Sequence, residues 1–186
     1  PPHKVNYRAN LQALKDLGAD WVLAINAVGG IAAIAAPGQL VVPDQLIDYT
    51  WGREHTYFDG GEREVNFIDF TKPYDDNLRE KIVSGAVDRD FQVLDGATYG
   101  VTQGPRLETA AEIDRLERDG CHIVGMTAMP EAALARELDL PYASCCIVVN
   151  WAAGRSAVGI HAEIDAFLQD GMAQASAVID AIACAL

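Results

Sequence analysis

Three short runs of small or polar residues have the composition of a binding site, and each follows an apolar stretch typical of a buried strand. These runs are Asn26-Ala27, Met126-Thr127 and Asn150. In α/β folds, ligands collect at the carboxyl ends of strands, where loops carry the chemistry. The three runs together predict one ligand site at an edge of a sheet, although an ordinary loop is the alternative for each run alone.

Signatures of several other chemistries are missing from the sequence. Gly29-Gly30 belongs to neither a G-x-G-x-x-G nor a P-loop pattern, so the sequence indicates no nucleotide site of those kinds. There is also no G-x-S-x-G elbow and no H-E-x-x-H helix. The histidines have no ligand spacing, so we expect no metal. The backbone N–H groups after Asn26 can still bind a small anion.

Helix and strand patterns alternate along the chain, which predicts an α/β fold with a buried sheet. We expect helices from Asn6 to Gly18 with Leu11, Leu14 and Leu17 on one face, and at 74–87, 109–118, 131–138 and 161–186. Local signals mark their ends: Gly18 and Gly120 as C-terminal stops, a capping box at Thr109 to Glu112, and Pro130 at N1. Strands are expected at 21–26, 40–42, 98–102, 122–126 and 142–150.

The connections complete the predicted architecture. Gly29-Gly30 is interpreted as a loop that ends the first strand, and 48–73 as a long surface loop. No repeat or linker interrupts the chain, so residues 1–186 are predicted to form one α/β domain with a central sheet flanked by helices.

Charge and cysteine usage narrow the class of protein further. The 186 residues carry a net charge of −13, which argues against nucleic-acid partners and against anionic membrane surfaces. No apolar run approaches the length of a membrane span. The cysteines have no metal spacing, and Cys145 and Cys146 are expected on opposite faces of a strand. A reduced, cytoplasmic protein is the natural interpretation.

Four blocks, in the right order and covering essentially the whole chain, resemble the trimeric purine nucleoside phosphorylase and methylthioadenosine phosphorylase family. They are Val5-Asn6-Tyr7-Arg8-Ala9-Asn10, Asn26-Ala27-Val28-Gly29-Gly30, Gly104-Pro105-Arg106-Leu107-Glu108-Thr109 and Gly125-Met126-Thr127-Ala128-Met129-Pro130-Glu131. The resemblance implies a mixed-sheet nucleoside phosphorylase fold and a homotrimer. It also implies phosphorolysis in purine salvage: inorganic phosphate displaces a purine from C1′ of a nucleoside, with no cofactor and no metal.

The resemblance also assigns roles on the phosphate and ribose side. The N–H of Ala27 and the hydroxyl and N–H of Thr127 are similar to the family's phosphate contacts. Met126 resembles the methionine that lies under the ribose. These roles suit the reaction, because an anion needs preorganised donors and a cationic sugar needs a dry pocket.

The base side decides the substrate. Asn150 resembles the residue of the 6-oxopurine enzymes, where the 6-aminopurine enzymes have Asp, and its amide can donate to N7 or O6. Glu108 can accept the N1–H of a 6-oxopurine, with compensation of a helix N-terminus as the alternative. Leu107 stands where phenylalanine is usual, so it keeps an apolar wall without aromatic stacking.

Two further residues are assigned by resemblance, each with an alternative. His161 is similar to a histidine near the 5′-hydroxyl, or else it caps the helix or lies on the surface. Phe67 resembles a lid residue that a neighbouring subunit contributes, or else it is a core aromatic. The motifs Val5-Asn6-Tyr7 and Gly-Met-Thr look more like the methylthio branch.

Combining a 6-oxopurine pocket with a methylthio-like scaffold predicts methylthioinosine as the substrate. Methylthioadenosine, inosine or guanosine are alternative substrates, and hydrolysis is an alternative reaction. The family's N-terminal portion, with a phosphate loop and an Arg-His pair, is expected to be missing. A purine-binding fragment without turnover is therefore a further alternative.

Overall fold

A seven-stranded mixed sheet with helices on both faces forms the centre of the protein. The structure is a computed structural model, and it describes residues 1–60, 64–157 and 159–184. The strands are β1 (Val22–Gly30), β2 (Leu40–Val42), β3 (Gln45–Asp48), β4 (Val93–Asp95), β5 (Thr98–Val101), β6 (Ile123–Gly125) and β7 (Tyr142–Trp151). The helices are α1 (Tyr7–Asp16), α2 (Asp76–Val87), α3 (Ala110–Arg118), α4 (Glu131–Glu137) and α5 (Ile160–Cys184), after a 3-10 turn at Pro2–Lys4. The predicted α/β class and central mixed sheet are confirmed.

The strand order in the sheet is β3-β5-β6-β1-β7-β2-β4. The pairs β3–β5, β5–β6, β1–β7 and β2–β4 are parallel, whereas β6–β1 and β7–β2 are antiparallel. The two longest strands, β1 and β7, therefore lie side by side at the centre. They place the residues of their C-terminal halves next to one another.

The core is divided by β7, whose successive side chains point to opposite faces. One face packs under α2 and α5 and includes Cys145, while the other packs under α1 and α4 and includes Cys146. Both thiols are fully buried and free, as the sequence predicted for neighbours on a strand. The side chain of Cys184 lies outside the described residues.

Local sequence signals set the helix ends as expected. Thr109 and Glu112 form the complete capping box of α3, and Gly18 and Gly120 adopt positive φ beyond α1 and α3. The predicted leucine face of α1 is wrong in part: Leu11 is buried, but Leu17 is 85% exposed. The helix buries Tyr7 together with Leu11 instead, because residues four apart share a face, whereas each step of three residues falls about 60° short of a full turn and carries Leu17 away from Leu11.

The predicted loop at Gly29-Gly30 is wrong, because both glycines belong to β1 and pair with Asn150 and Trp151 of β7. A Cβ on Gly30 would lie 2.0 Å from the carbonyl oxygen of Ala35. The glycines therefore allow a close approach of backbone within the strand, rather than a turn.

Two other boundaries differ from the prediction. Pro130 is the N-cap of α4 rather than its first helical residue, and Asp75 caps α2, so that helix begins at Asp76. The segment 48–73 contains the last residue of β3 but otherwise no helix or strand among its described residues, and 61–63 lie outside them. Within the described part of the chain, no helix is both long and apolar enough to cross a bilayer.

Candidate functional site

A cavity of about 380 Å³ brings together residues from β1, β6, β7, α5 and the segment before α3. Six of the eight residues assigned to a site line it: Ala27, Leu107, Glu108, Met126, Thr127 and Asn150. The three polar runs that follow apolar stretches therefore lie together around one cavity, as their pattern predicted.

The strand directions that produce this convergence differ from the expected ones. The prediction was that the carboxyl ends of strands meet at one edge of the sheet, but β6 runs antiparallel to β1. Asn26 and Ala27 lie within β1, and the chain leaving β6 passes alongside them. The Asn26 Nδ2 atom donates a hydrogen bond to Thr127 Oγ1 at 2.8 Å, which fixes the two runs to each other.

Polar groups of Asn26, Ala27 and Thr127 form the polar part of the cavity wall where β1 meets the chain that leaves β6. Asn26 is 4% exposed, and its Oδ1 atom has no hydrogen-bond partner among the described residues. The Thr127 hydroxyl accepts from Asn26 and keeps its own proton as a donor. Ala27 is exposed within an otherwise buried stretch of β1, so its backbone borders the open space.

Asn150 lies beside Gly29 at a register shift between β1 and β7. A Cβ on Gly29 would lie 3.2 Å from Asn150 Nδ2, so the glycine leaves room for the amide. One N–H of that amide donates to the Trp151 carbonyl oxygen at 2.7 Å. Because an amide carries two N–H donors and one carbonyl acceptor, the Asn150 side chain retains polar capacity toward the cavity.

The backbone after Asn150 is held by a buried carboxylate from α5. Glu163 is 7% exposed, and its oxygens accept from the Trp151 N–H and the Ser156 hydroxyl, both at 2.7 Å. Trp151 therefore connects the two side chains: its N–H donates to Glu163, and its carbonyl oxygen accepts from the Asn150 amide. This arrangement fixes the direction of the Asn150 amide, because its acceptor cannot move without breaking a charge-assisted bond.

Glu108 is oriented by the end of β5. The Thr102 hydroxyl donates to Glu108 Oε1 at 2.6 Å, and the carboxylate borders the same cavity as Asn150. The other oxygen and the remaining lone pairs are available as acceptors. Of the described residues that line the cavity, Glu108 alone carries a charge.

Apolar side chains fill the space between the polar groups. Met126 is held close to Gly104, where a Cβ would lie 2.4 Å from its Sδ atom and where φ is +59°. Leu107 borders the same space and is 41% exposed. From α5, Ile160 and Ile164 add aliphatic walls. A flat, partly apolar ligand with polar edges fits this combination.

The remaining two assigned residues do not line the cavity. His161 is exposed at the start of α5, next to the cavity residue Ile160. Phe67 is 92% exposed, so it is not a core aromatic of this chain. Its side chain is free to contact something outside the chain.

Sequence reasoning missed three polar residues of the site: Thr102, Glu163 and Arg53. The signal for Thr102 was present, since it directly follows β5 as Met126 directly follows β6. The signal for Glu163 was weaker, because a carboxylate in the first turn of a helix usually serves that helix. Arg53 lies in an aperiodic segment and gave no signal, yet it is 9% exposed and bonded to several carbonyl oxygens near the cavity.

Comparison with known proteins identifies relatives along nearly the whole chain. The Phosphorylase superfamily profile matches residues 1–183. A probable S-methyl-5'-thioinosine phosphorylase of Pseudomonas syringae pv. tomato is 55% identical over 180 residues, which are 96% of this chain and 73% of that protein. A probable S-methyl-5'-thioinosine phosphorylase of Xylella fastidiosa (strain Temecula1) is 59% identical over 154 residues, 83% of this chain and 62% of that protein.

The 6-oxopurine nucleoside phosphorylase of Pyrococcus furiosus is 43% identical over 175 residues, covering 91% of this chain and 66% of that protein. Among solved structures, methylthioadenosine phosphorylase from Schistosoma mansoni in complex with adenine superposes with a TM-score of 0.89 at 30% identity. That match covers 99% of this chain and 71% of the other. The chain thus spans between about three fifths and three quarters of the length of these proteins.

Proposed function

Because the chain belongs to the Phosphorylase superfamily, we propose that it carries the base and ribose site of an enzyme that cleaves 6-oxopurine nucleosides with inorganic phosphate. The proposed substrate is S-methyl-5'-thioinosine, and the products are hypoxanthine and methylthioribose 1-phosphate. The observation that carries the proposal is the pair of Asn150 and Glu108 on one cavity. An amide and a carboxylate acceptor match the polar edge of a 6-oxopurine.

In the proposed mechanism the bond between C1′ and N9 lengthens before phosphate attacks. Positive charge grows on the sugar, and the bonding electron pair moves into the purine. The Asn150 amide donates to the base where negative charge accumulates, and Glu108 accepts the N1–H that only a 6-oxopurine carries. Phosphate attacks C1′ from the side of Ala27 and Thr127. Donors that are already in place stabilise these charges without further reorganisation.

The methylthio preference is supported by the apolar surroundings of the sugar. In the proposal, Met126 lies under the ribose and Leu107 lies beside the base, and both residues line the cavity. His161 would approach the 5′ end of the sugar from the start of α5, where its exposed side chain has room to move. Two relatives, from Pseudomonas and Xylella, are named as probable S-methyl-5'-thioinosine phosphorylases, in agreement with a thioinosine substrate.

The reaction is tested by measuring release of hypoxanthine from methylthioinosine with and without phosphate. We expect release to require phosphate and to exceed release of adenine from methylthioadenosine.

The outcomes separate the alternatives. Base release that is independent of phosphate indicates hydrolysis, and faster cleavage of methylthioadenosine assigns a 6-aminopurine substrate. Purine binding without turnover identifies a binding module.

We further propose a homotrimer in which Phe67 closes the site of a neighbouring subunit. The exposure of two aromatic side chains in the same long segment supports this proposal: Phe67 is 92% exposed and Trp51 is 72% exposed. Large apolar side chains that are exposed together in one segment are typical of contact surfaces.

The proposed reaction needs no metal or organic cofactor, since phosphate is the co-substrate. The free, buried thiols of Cys121, Cys145 and Cys146 support a place in the reducing cytoplasm.

Light scattering and kinetics test the lid. We expect a trimer, and we expect Phe67→Ala to raise KM for the nucleoside about tenfold without changing the mass, because one buried aromatic contact is lost. Leu17→Ala is the matched control, since Leu17 is 85% exposed just after α1 and lies outside the segment. A monomer with full activity contradicts the lid, as does an unchanged KM in the Phe67 variant.

A further inference from the structure

Arg53 is a buried arginine that the proposed reaction does not yet use. It lies in the segment between β3 and α2, is 9% exposed, and its guanidinium carbon lies 5.7 Å from the centre of the Tyr7 ring. Its Nε atom donates to Gln103 Oε1 at 3.2 Å. A guanidinium carries five N–H donors in a rigid planar fork, so its hydrogen bonds fix the relative positions of whatever it touches.

The two arms of the fork reach two different loops. Nη1 donates to the carbonyl oxygens of Met126, at 2.9 Å, and of Met129, in the chain that leaves β6. Nη2 donates to the carbonyl oxygens of Thr102, at 3.3 Å, and of Gln103, at 2.9 Å, in the chain that leaves β5. Arg53 therefore clamps together the two loops that carry opposite walls of the cavity.

Each clamped loop carries residues of the site. The β6 loop carries Met126 and Thr127, and the β5 loop carries Thr102, whose hydroxyl orients Glu108. The spacing between Thr127 and Glu108 is the spacing between the phosphate side and the base side of the proposed site. A displacement of about 1 Å in such a spacing is enough to lower a rate substantially.

The charge of Arg53 is unusual for a buried arginine. Among the described residues no carboxylate pairs with it, although the other arginines in this region, Arg8 and Arg106, are each paired with a glutamate. All its acceptors are neutral oxygens. A buried cation without an ionic partner favours an anion nearby, because its field is weakly screened. The cavity wall in front of it carries no positive charge of its own among the described residues.

We propose that Arg53 is a positioning residue for phosphate: it clamps the β5 and β6 loops and supplies, from behind the Met126–Thr127 backbone, a positive charge that favours the anion. This inference rests on the proposed function for the identity of the anion. Arg53, which does not line the cavity, would thus supply part of the positive charge that the residues lining the cavity lack.

Two substitutions separate the clamp from the charge. Arg53→Met removes both, whereas Arg53→Lys keeps the charge and loses the fork. The matched control is Arg8→Met, since Arg8 also holds this segment, through Glu54 and the Thr56 carbonyl oxygen, but is ion-paired. For each variant, KM is measured for phosphate and for the nucleoside. Binding of inorganic phosphate and of hypoxanthine is measured separately by calorimetry.

We expect Arg53→Met to weaken phosphate binding and to raise its KM about tenfold, with nucleoside KM and hypoxanthine affinity changed less than about threefold. For Arg53→Lys, the KM and the affinity for phosphate are expected to lie between those of Arg53→Met and those of the natural protein. Arg8→Met is expected to leave the KM and the affinity for phosphate unchanged. Equal effects of Arg53→Met on phosphate and on hypoxanthine would reduce Arg53 to a folding residue and overturn the inference.

If the methionine variant does not fold, Arg53→Lys decides alone: a rise in phosphate KM without a matching rise in nucleoside KM supports the inference, and equal rises overturn it. The calorimetric arm separates this inference from the proposed function. Phosphate binding that depends on Arg53 without any phosphorolysis supports the inference and rejects the reaction. Phosphorolysis with an unchanged phosphate KM in both variants supports the reaction and rejects the inference.

Discussion

Asn150→Asp is expected to shift the preference of the site from 6-oxopurine toward 6-aminopurine nucleosides by roughly 10- to 100-fold in the ratio of kcat/KM values. The amide of Asn150 borders the cavity and donates to the Trp151 carbonyl oxygen at 2.7 Å; aspartate has nearly the same size, so its carboxyl group will occupy the same place, although an ionised carboxylate cannot make that hydrogen bond. A carboxyl there pairs with an exocyclic amino group and mispairs with a carbonyl. Each mispaired buried polar group costs about 1–3 kcal/mol.

The measurement compares methylthioinosine with methylthioadenosine in both proteins. Asn10→Asp makes the same chemical change on the exposed surface of α1 and should leave the ratio unaltered. Because the carboxyl group introduced by Asn150→Asp would also meet the Trp151 carbonyl oxygen, some loss of stability is expected, and thermal unfolding records it separately. An unchanged substrate ratio would remove Asn150 from the base site.

Glu108→Gln is expected to lower kcat/KM for methylthioinosine by about 100-fold. The Thr102 hydroxyl holds the carboxylate at 2.6 Å, so glutamine will keep the position but lose the charge that accepts the purine N1–H. A hydrogen bond to a charged group contributes about 1.5–3 kcal/mol, which corresponds to the expected factor. Cleavage of methylthioadenosine, whose base has no N1–H, should change much less.

Glu112→Gln is the control for this prediction, because it tests the alternative that an acidic residue near α3 serves only the helix. The Arg106 guanidinium and the Thr109 N–H hold the pKa of Glu112 at about 2, so it is a carboxylate that caps the helix. Its removal should reduce stability by about 1 kcal/mol and leave substrate preference intact. The opposite pattern, with stability lost and activity kept in Glu108→Gln, would return Glu108 to a helix-capping role.

The five helices and five of the seven strands could be predicted from the sequence, because their signals are local, whereas β3 and β4 were not predicted. The capping box of α3 joins residues three apart, and the positive φ of Gly18 ends α1 within one turn. The alternation that sends Cys145 and Cys146 to opposite faces follows from the geometry of a strand alone. Six of the assigned site residues share one cavity: Met126 and Thr127 follow β6, Leu107 and Glu108 precede α3, and Ala27 and Asn150 lie in the C-terminal halves of β1 and β7.

Only the tertiary structure decided how those motifs meet. The antiparallel pairing of β6 with β1 depends on packing along the whole sheet, and it brings Asn26 to Thr127 across 101 positions of sequence. Gly29 and Gly30 looked like a loop because glycine usually weakens a strand, yet both pair with β7, and the Ala35 carbonyl oxygen, 2.0 Å from where a Cβ on Gly30 would lie, leaves no room for a side chain there.

The supporting polar residues were likewise decided by the fold. Glu163 reaches back 12 positions to Trp151, and Arg53 reaches 50 and 73 positions ahead to Gln103 and Met126. Hydrogen bonds over such separations leave no periodicity or spacing in the sequence. They form only after the sheet has closed and burial has made each unpaired donor costly. The sequence indicated six of the residues that line the cavity, whereas packing determined what holds those residues in place.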